Sequence, residues 1–208
     1  MTDQAALAKP QTRDRARTEE AIIAAARDVL ADQGFQGFGI NAIARRAGCD
    51  KQLLYRYYGG LDGLADAIGN DVANGLGARL TAFAGEGTPE SYGALMEKLM
   101  LGFVSVLRAD PLLQRIIAWE ISEPSAMTSR FAAARGLVLQ RWVEKQRGTL
   151  TPPANVDAAA INAVLIAAAQ HLVLSATAVG GFAGIDLVSD EQWERIRRSI
   201  GQLVRGVY

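Results

Sequence analysis

Apolar residues recur along most of this chain at the three- and four-residue spacing of an α-helix, and Gly, Pro or capping residues interrupt the pattern at intervals. No window alternates convincingly between apolar and polar residues, as a half-buried β-strand would. Half of the 208 residues are hydrophobic, which is ample material for a buried core. The sequence therefore predicts an all-α fold of about nine helices.

The interruptions set the predicted helix boundaries. In three places a potential capping residue is followed by Pro, which is typical of a helix start: Thr88–Pro89, Asp110–Pro111 and Glu123–Pro124. The predicted helices cover approximately residues 18–33, 40–47, 51–58, 61–83, 89–108, 111–122, 124–147, 156–179 and 190–206.

The first three helices have the lengths and the connection of a helix-turn-helix. Gly48 lies in the tight turn between the second and third helices, and Asp50 can cap the third. The residues that face one another inside this unit are Ile43, Ala44, Ala47, Leu54 and Tyr58. The opposite face of the third helix is cationic and carries exposed tyrosines, which favours DNA binding over a merely solvated hairpin.

The predicted DNA-contacting residues lie on the second and third helices. They are Asn41, Arg45, Lys51, Gln52, Tyr55, Arg56 and Tyr57. Lys and Gln side chains can hydrogen-bond base edges, whereas Tyr and Arg suit phosphates. An adaptor that keeps this fold but binds a protein is the alternative, and the exposed Lys51, Gln52 and Arg56 argue against it.

Basic residues are concentrated towards the amino terminus. Residues 9–58 carry nine Lys and Arg against six Asp and Glu, although the whole chain has 22 of each. Residues 1–17 are polar, contain Pro and are predicted to be flexible. This basic arm is either a solvated leader or a segment that contacts DNA.

Residues 18–68 contain a series of residues in a specific order and spacing: Ile22-Ile23, Ala25-Ala26, Gly34-Phe35, Ile43-Ala44, Ala47-Gly48, Lys51, Leu54-Tyr55, Tyr57-Tyr58 and Leu64. In this order and spacing the segment resembles the tetracycline-repressor (TetR) family of bacterial transcriptional regulators. The resemblance implies a nine-helix fold, a homodimer and an effector pocket in the C-terminal part. The expected function is that of a sequence-specific repressor, released from its operator by a small apolar effector.

The expected domain organisation follows from the motif and the resemblance together. It consists of a flexible basic arm (1–17), a helix-turn-helix domain (18–68) and an effector-binding and dimerisation domain (69–208).

Several positions depart from the family's pattern. Phe38 and Gly39 stand where the family usually has the Thr or Ser that caps the second helix and touches phosphate, so Asn41 is the candidate to replace that contact. Leu61 replaces a common Lys at the start of the fourth helix, and Cys49 replaces a small apolar residue. We expect fewer backbone contacts to DNA, hence weaker nonspecific binding, and a packing role for Cys49.

The middle helices contain large, adaptable side chains, which either form plain core or line a ligand cavity. The candidate lining residues are Met100, Phe103, Trp119, Glu120, Trp142 and His171. Glu120 and His171 lie in otherwise apolar stretches, where a polar group needs a partner that a ligand could supply. The mainly apolar lining favours a small hydrophobic or aromatic effector.

The last two helices carry apolar residues at alternating steps of three and four. These seam residues are Ile161, Leu165, Ala168, Leu172, Trp193, Ile196, Ile200 and Leu203. Such seams pack against other helices at shallow angles, either in the chain's own core or between two copies. The family resemblance favours a four-helix dimer interface, and a two-fold dimer would need a near-palindromic operator of double-stranded DNA.

Other classes of protein are disfavoured by what the sequence lacks. One cysteine and one histidine exclude an internal disulfide and leave too few ligands for a Cys/His zinc site. Neither a P-loop nor a dinucleotide-binding glycine motif is present. An enzyme would have to combine Cys49 with His171, so we expect no catalytic activity, no cofactor and no metal.

The segment Ala158–Val179 is apolar enough to resemble a membrane span. Asn162, Gln170 and His171 lie within it, and the bilayer penalises such residues. We therefore expect a buried helix, no membrane association and a cytoplasmic protein.

Overall fold

The computed structural model describes residues 10–85, 87 and 89–208, and within these ranges the chain is all-α, as the sequence predicts. The nine helices of this part of the chain are α1 (Pro10–Gln33), α2 (Ile40–Ala47), α3 (Lys51–Tyr58), α4 (Leu61–Ala84), α5 (Tyr92–Arg108), α6 (Pro111–Ser122), α7 (Ala126–Arg147), α8 (Ala158–Val179) and α9 (Asp190–Val207). Two short strands, β1 (Gly181–Phe182) and β2 (Ile185–Asp186), pair antiparallel between α8 and α9. The sequence does not predict this small hairpin.

Side-chain caps explain where the middle helices begin. The Asp110 carboxylate accepts a hydrogen bond from the Leu113 amide at 2.9 Å, so α6 begins at the predicted position. Helix α7 begins later than predicted because Ser125 and Thr128 form a capping box. Helix α5 also begins late, after the cap Ser91, and the predicted cap Thr88 lies outside the described residues.

Helix α1 begins earlier than the predicted start at Thr18. The segment expected to be a flexible arm is helical from Pro10 onwards, while Lys9 lies outside the described residues. Arg15 pairs with Glu19 at 2.8 Å across one helical turn, and such a pair stabilises a polar helix.

Helix α4 connects the N-terminal helix-turn-helix domain to the C-terminal helical domain. Leu64, Ile68 and Leu76 are fully buried along its inner side, and α7 packs along the same helix. A Cβ added to Gly77 of α4 would lie 2.9 Å from the Cγ1 of Val138 on α7. Small residues on α4 therefore allow the two helices to approach closely.

Helix α9 packs its apolar face against α5 of the same chain. Trp193, Ile196 and Ile200 are buried there, and the Trp193 indole N–H donates to the Leu187 carbonyl at 2.7 Å. These three predicted seam residues are therefore largely covered within a single chain. Leu203, on another side of α9, is 61% exposed.

Helix α8 is the apolar helix that the rest of the chain covers least. It is long and apolar enough to cross a membrane, although length and composition alone are weak evidence for a span. Only 17% of its most apolar window is buried, which corrects the expectation of a buried helix. Ala169 and Val173 face the core, whereas Ala168 lies on an open apolar face.

Candidate nucleic-acid interface

The turn between α2 and α3 depends on a glycine. Gly48 has a left-handed backbone (φ 65°, ψ 30°), and its N–H donates to carbonyls of the last turn of α2. The Cys49 amide then donates to the Ala44 carbonyl at 3.1 Å. Asp50 follows as the cap of α3, where its carboxylate accepts a hydrogen bond from the Gln52 amide at 2.8 Å. These local bonds fix the direction in which α3 leaves the turn.

Buried apolar contacts fix the rotation of α3 about its own axis. Ile43 and Ala44 of α2 and Leu54 of α3 are buried in the same core as Ile22 and Val29 of α1. Because Leu54 points inwards, the side chains two residues before and after it, Gln52 and Arg56, lie on the opposite face of α3 and point to solvent.

The predicted DNA-contacting residues lie at the surface of these two helices. Asn41, Arg45, Lys51, Gln52, Tyr55 and Arg56 are exposed, and Tyr57 is half-buried. Lys51 and Gln52 occupy the first turn of α3, while Tyr55 and Arg56 occupy the next turn. The arrangement combines hydrogen-bonding and cationic side chains on the exposed surface of α2 and α3.

Arg46, which neighbours the predicted contact Arg45, has a structural partner instead. Its guanidinium lies 2.6 Å from the Asp32 carboxylate and 3.6 Å from that of Asp28. Both aspartates belong to α1, so this arginine joins α2 to α1.

Two arginines meet on the ring of Tyr57. The guanidinium carbons of Arg15, from α1, and Arg56, from α3, each lie 5.1 Å from the ring centre, a distance typical of cation–π contacts. Arg56 also donates to the Tyr57 hydroxyl at 3.3 Å. A cleft of about 410 Å³ separates the two helices at this point, and Asp14 and Thr18 complete its walls.

Arg15 is not named among the predicted DNA-contacting residues, because the sequence leaves open whether the basic arm that contains it contacts DNA. The first 17 residues were expected to be flexible, which left this side chain without a position relative to α3. The four-residue spacing of Arg15 and Glu19 was the available signal, because it is the spacing of a helical ion pair.

The positions that depart from the family's pattern behave as their residue types require. Gly39 precedes α2 in an extended conformation and supplies no side-chain cap, so the expected loss of that cap is present. Leu61 packs against the core. Burial raises the pKa of the Cys49 thiol, and the nearby Asp50 carboxylate adds to the effect. A raised pKa leaves less thiolate near neutral pH, which favours packing over reactivity.

The six predicted effector residues do not line one cavity in the described part of the chain. Met100, Phe103 and Trp142 are core residues, and the Trp142 indole N–H donates to the Thr81 hydroxyl at 3.0 Å. Glu120 forms a two-fold hydrogen-bonded ion pair with Arg135 at 2.5–2.6 Å. His171 is exposed, with its ring centre 4.7 Å from that of Phe182.

The sixth of these residues, Trp119, lies at the contact between the two domains. A Cβ on Gly34, at the end of α1, would lie 3.0 Å from the indole of Trp119. The same indole packs edge-on against Phe35, with 5.4 Å between ring centres. One turn earlier on α6, Arg115 donates to the Ala31 carbonyl of α1. Helix α6 therefore touches the helix-turn-helix domain directly.

Comparison with known proteins identifies the N-terminal region. Residues 22–68 match the family model described as bacterial regulatory proteins, tetR family. No match is found among curated proteins.

Solved structures with the same fold cover nearly the whole chain. A TetR-family regulator from Rhodococcus sp. is 19% identical with a TM-score of 0.64, covering 92% of this chain and 98% of its own. The fatty acid degradation regulator FadR from Bacillus halodurans is 16% identical with a TM-score of 0.62, covering 91% and 99%. FadR from Bacillus subtilis, solved in complex with stearoyl-CoA, is 17% identical with a TM-score of 0.60, covering 89% and 97%. At these identities the likeness shows the fold.

Proposed function

Residues 22–68 of this chain match the tetR family of bacterial regulatory proteins, and from that premise we propose that the chain is a cytoplasmic repressor that leaves its operator when a small apolar molecule binds. The observation that carries the proposal is the surface of α3. Its first turn presents Lys51 and Gln52 on a helix held by the Gly48 turn, the Asp50 cap and the buried Leu54. That is where a helix-turn-helix meets base edges in the major groove.

Phosphate contacts surround this base-reading turn in the proposed complex. Tyr55, Arg56 and Tyr57 lie further along α3, and Asn41 and Arg45 lie on α2. Arg15 joins them, because it shares the Tyr57 ring with Arg56. Cationic and hydroxyl groups of this kind position a protein on the duplex without reading its sequence.

A homodimer is the proposed functional unit. The open apolar face of α8, including Ala168, and the exposed Leu203 of α9 would be covered by the same surfaces of a second copy. Ile161, Leu165 and Leu172 are half-buried and would lie at the edge of that contact. Two reading helices about 34–36 Å apart would then meet two half-sites one DNA turn apart.

The effector is proposed to act on the C-terminal domain. The Bacillus subtilis FadR structure holds stearoyl-CoA, so an apolar acyl chain is one precedent in this fold. In this chain α6 touches the end of α1 through Arg115 and Trp119, which supports a direct route from the C-terminal domain to the reading helix. A ligand shifts such an equilibrium only through its different affinity for the two arrangements.

A selection of bound fragments from genomic DNA tests the proposed function. The full-length chain is mixed with sheared genomic DNA, bound fragments are sequenced, and the protected bases are mapped. We expect a near-palindromic site whose half-sites lie about one helical turn apart. Recovery of no preferred sequence, with only salt-sensitive nonspecific binding, would contradict the proposal.

A further inference from the structure

We propose that the cleft between α6 and α8 binds a small carboxylate with an apolar body, and that the ligand's acid group draws Arg115 away from α1. This rests on the proposed function and deepens it, because it names the effector's chemistry and the contact through which it acts.

The cleft has a volume of about 240 Å³ and mainly apolar walls. Pro111 and Ala118 of α6 form one wall, and Leu174 and Ala178 of α8 form the other. Pockets for drug-sized ligands are typically about 300–1,000 Å³, so this cleft suits a smaller molecule.

A buried amide closes one end of the cleft. The Gln114 side chain donates to the Leu107 carbonyl at 2.7 Å and accepts from the Thr177 hydroxyl at 2.7 Å. Gln114 and Thr177 also line a second cavity, of about 290 Å³, near Trp193. Gln114 and Thr177 therefore form a common wall between the two cavities.

The charge at the cleft selects an anion. Arg115 is the one ionisable residue among those that line it, and no carboxylate is among them. Apolar walls with a single cation at the rim are complementary to a molecule with an apolar body and one negative group.

Arg115 also belongs to the contact between the domains. Its side chain lines the α6–α8 cleft and a second cleft against α1, and its guanidinium donates to the Ala31 carbonyl. A carboxylate accepts a stronger hydrogen bond from a guanidinium than a neutral carbonyl does. A bound carboxylate therefore competes with Ala31 for the same donor.

Loss of the Arg115–Ala31 contact loosens the end of α1 from α6. Trp119, which packs on Gly34 one turn further along α6, directly follows Ala118 of the cleft wall in the sequence. Coupling between two sites typically changes affinity by roughly 5–150-fold, which is the expected loss of operator affinity.

The test uses octanoate as the probe and octan-1-ol as its uncharged match, with the full-length chain and the DNA site recovered by the genomic selection. We expect octanoate to raise the unfolding temperature and to weaken operator binding by roughly 5–150-fold. Octan-1-ol should do neither at the same concentration, because it cannot pair with Arg115.

Three variants distinguish ligand binding in the cleft from the role of the Arg115–Ala31 contact. Ala118→Phe and Ala178→Leu fill the cleft from opposite walls and should abolish octanoate binding, with folding checked by circular dichroism. Arg115→Met should bind the operator more weakly without ligand and should not respond to octanoate. Arg141→Met, which changes an exposed arginine of α7, is the matched control and should behave like the unmodified chain.

The outcomes distinguish this inference from the function on which it rests. If the ligand-free chain binds no preferred DNA, the proposed function fails. If it binds its site but octanoate neither stabilises nor releases it, or if the folded cleft-filling variants respond normally, the cleft is not the effector site.

Discussion

The two side chains in the first turn of α3, Lys51 and Gln52, are open to solvent. Lys51 and Gln52 are exposed and make no side-chain hydrogen bond within the described part of the chain, so their donors are free for base edges. A bidentate contact to a base typically contributes about 1–3 kcal/mol of discrimination against the wrong base.

Gln52→Ala should weaken the selected operator by about 1–3 kcal/mol and relax its preference at one position of each half-site. The measurement is a gel-shift titration against the operator and a set of single-base variants of it. Gln140→Ala, a change of an exposed glutamine on α7, is the control and should leave both quantities as they are. Unaltered base preference in Gln52→Ala would remove this residue from the base-reading set.

Arg15 is expected to contribute to affinity and not to specificity. Its partner Glu19 holds one nitrogen at 2.8 Å, and the same guanidinium rests on Tyr57. Arg15→Ala should therefore weaken binding to all duplexes similarly and lower the slope of log affinity against log salt by about 1. Glu19→Gln should instead strengthen binding to all duplexes and increase this slope, because it frees the Arg15 guanidinium for a phosphate. Equal salt slopes for the unmodified chain and both variants would contradict a phosphate contact.

At the scale of elements, the α2–α3 turn depends on the left-handed conformation of Gly48. A residue with a Cβ costs about 1–2 kcal/mol in that conformation. Gly48→Ala should therefore lower the free energy of unfolding in urea by about that amount. Gly136→Ala is the contrasting control, because Gly136 is inside α7 with open space around it. That change should stabilise the chain by about 0.5–1 kcal/mol, and equal effects of both changes would refute the turn's role.

The same turn illustrates what sequence alone can predict about an element. Gly48 and Asp50 act within one turn of their own backbone, so their types predict the end of α2 and the start of α3. The starts of α5 and α7 were misplaced because Ser91 and Ser125 competed with nearby Pro-linked caps. Choosing between neighbouring caps depends on tertiary packing, which a local pattern does not contain.

At the scale of the whole molecule, burial within one chain distinguishes core residues from residues that are available to a dimer interface. Three and four residue steps place Trp193, Ile196 and Ile200 on one face of α9, and the sequence leaves open which helix covers that face. In the structure α5 covers it. The predicted effector residues are not brought together for a similar reason. Apolar residues that form a core and apolar residues that line a cavity recur at the same helical spacing in the sequence.

Leu203 tests the proposed dimer without the complication of an internal core residue. Leu203→Glu should place an unpaired charge in the α8–α9 contact and shift the chain from dimer to monomer, with its helical content retained. Light scattering at micromolar concentration and circular dichroism measure the two properties. Leu137→Glu, at a leucine of α7 that is 46% exposed, is the control and should remain dimeric. A monomeric unmodified chain would contradict the proposed assembly.

The most direct test of the account is the affinity of a reading-helix variant for the selected operator. The variant carries Lys51→Ala, Gln52→Ala and Tyr57→Ala together, with circular dichroism and urea unfolding as checks on its fold. If α3 reads the DNA, the folded variant should lose the difference in affinity between the operator and an unrelated duplex, while weak salt-dependent binding remains. A folded triple variant that still binds the operator with the affinity of the unmodified chain would show that α3 does not read it.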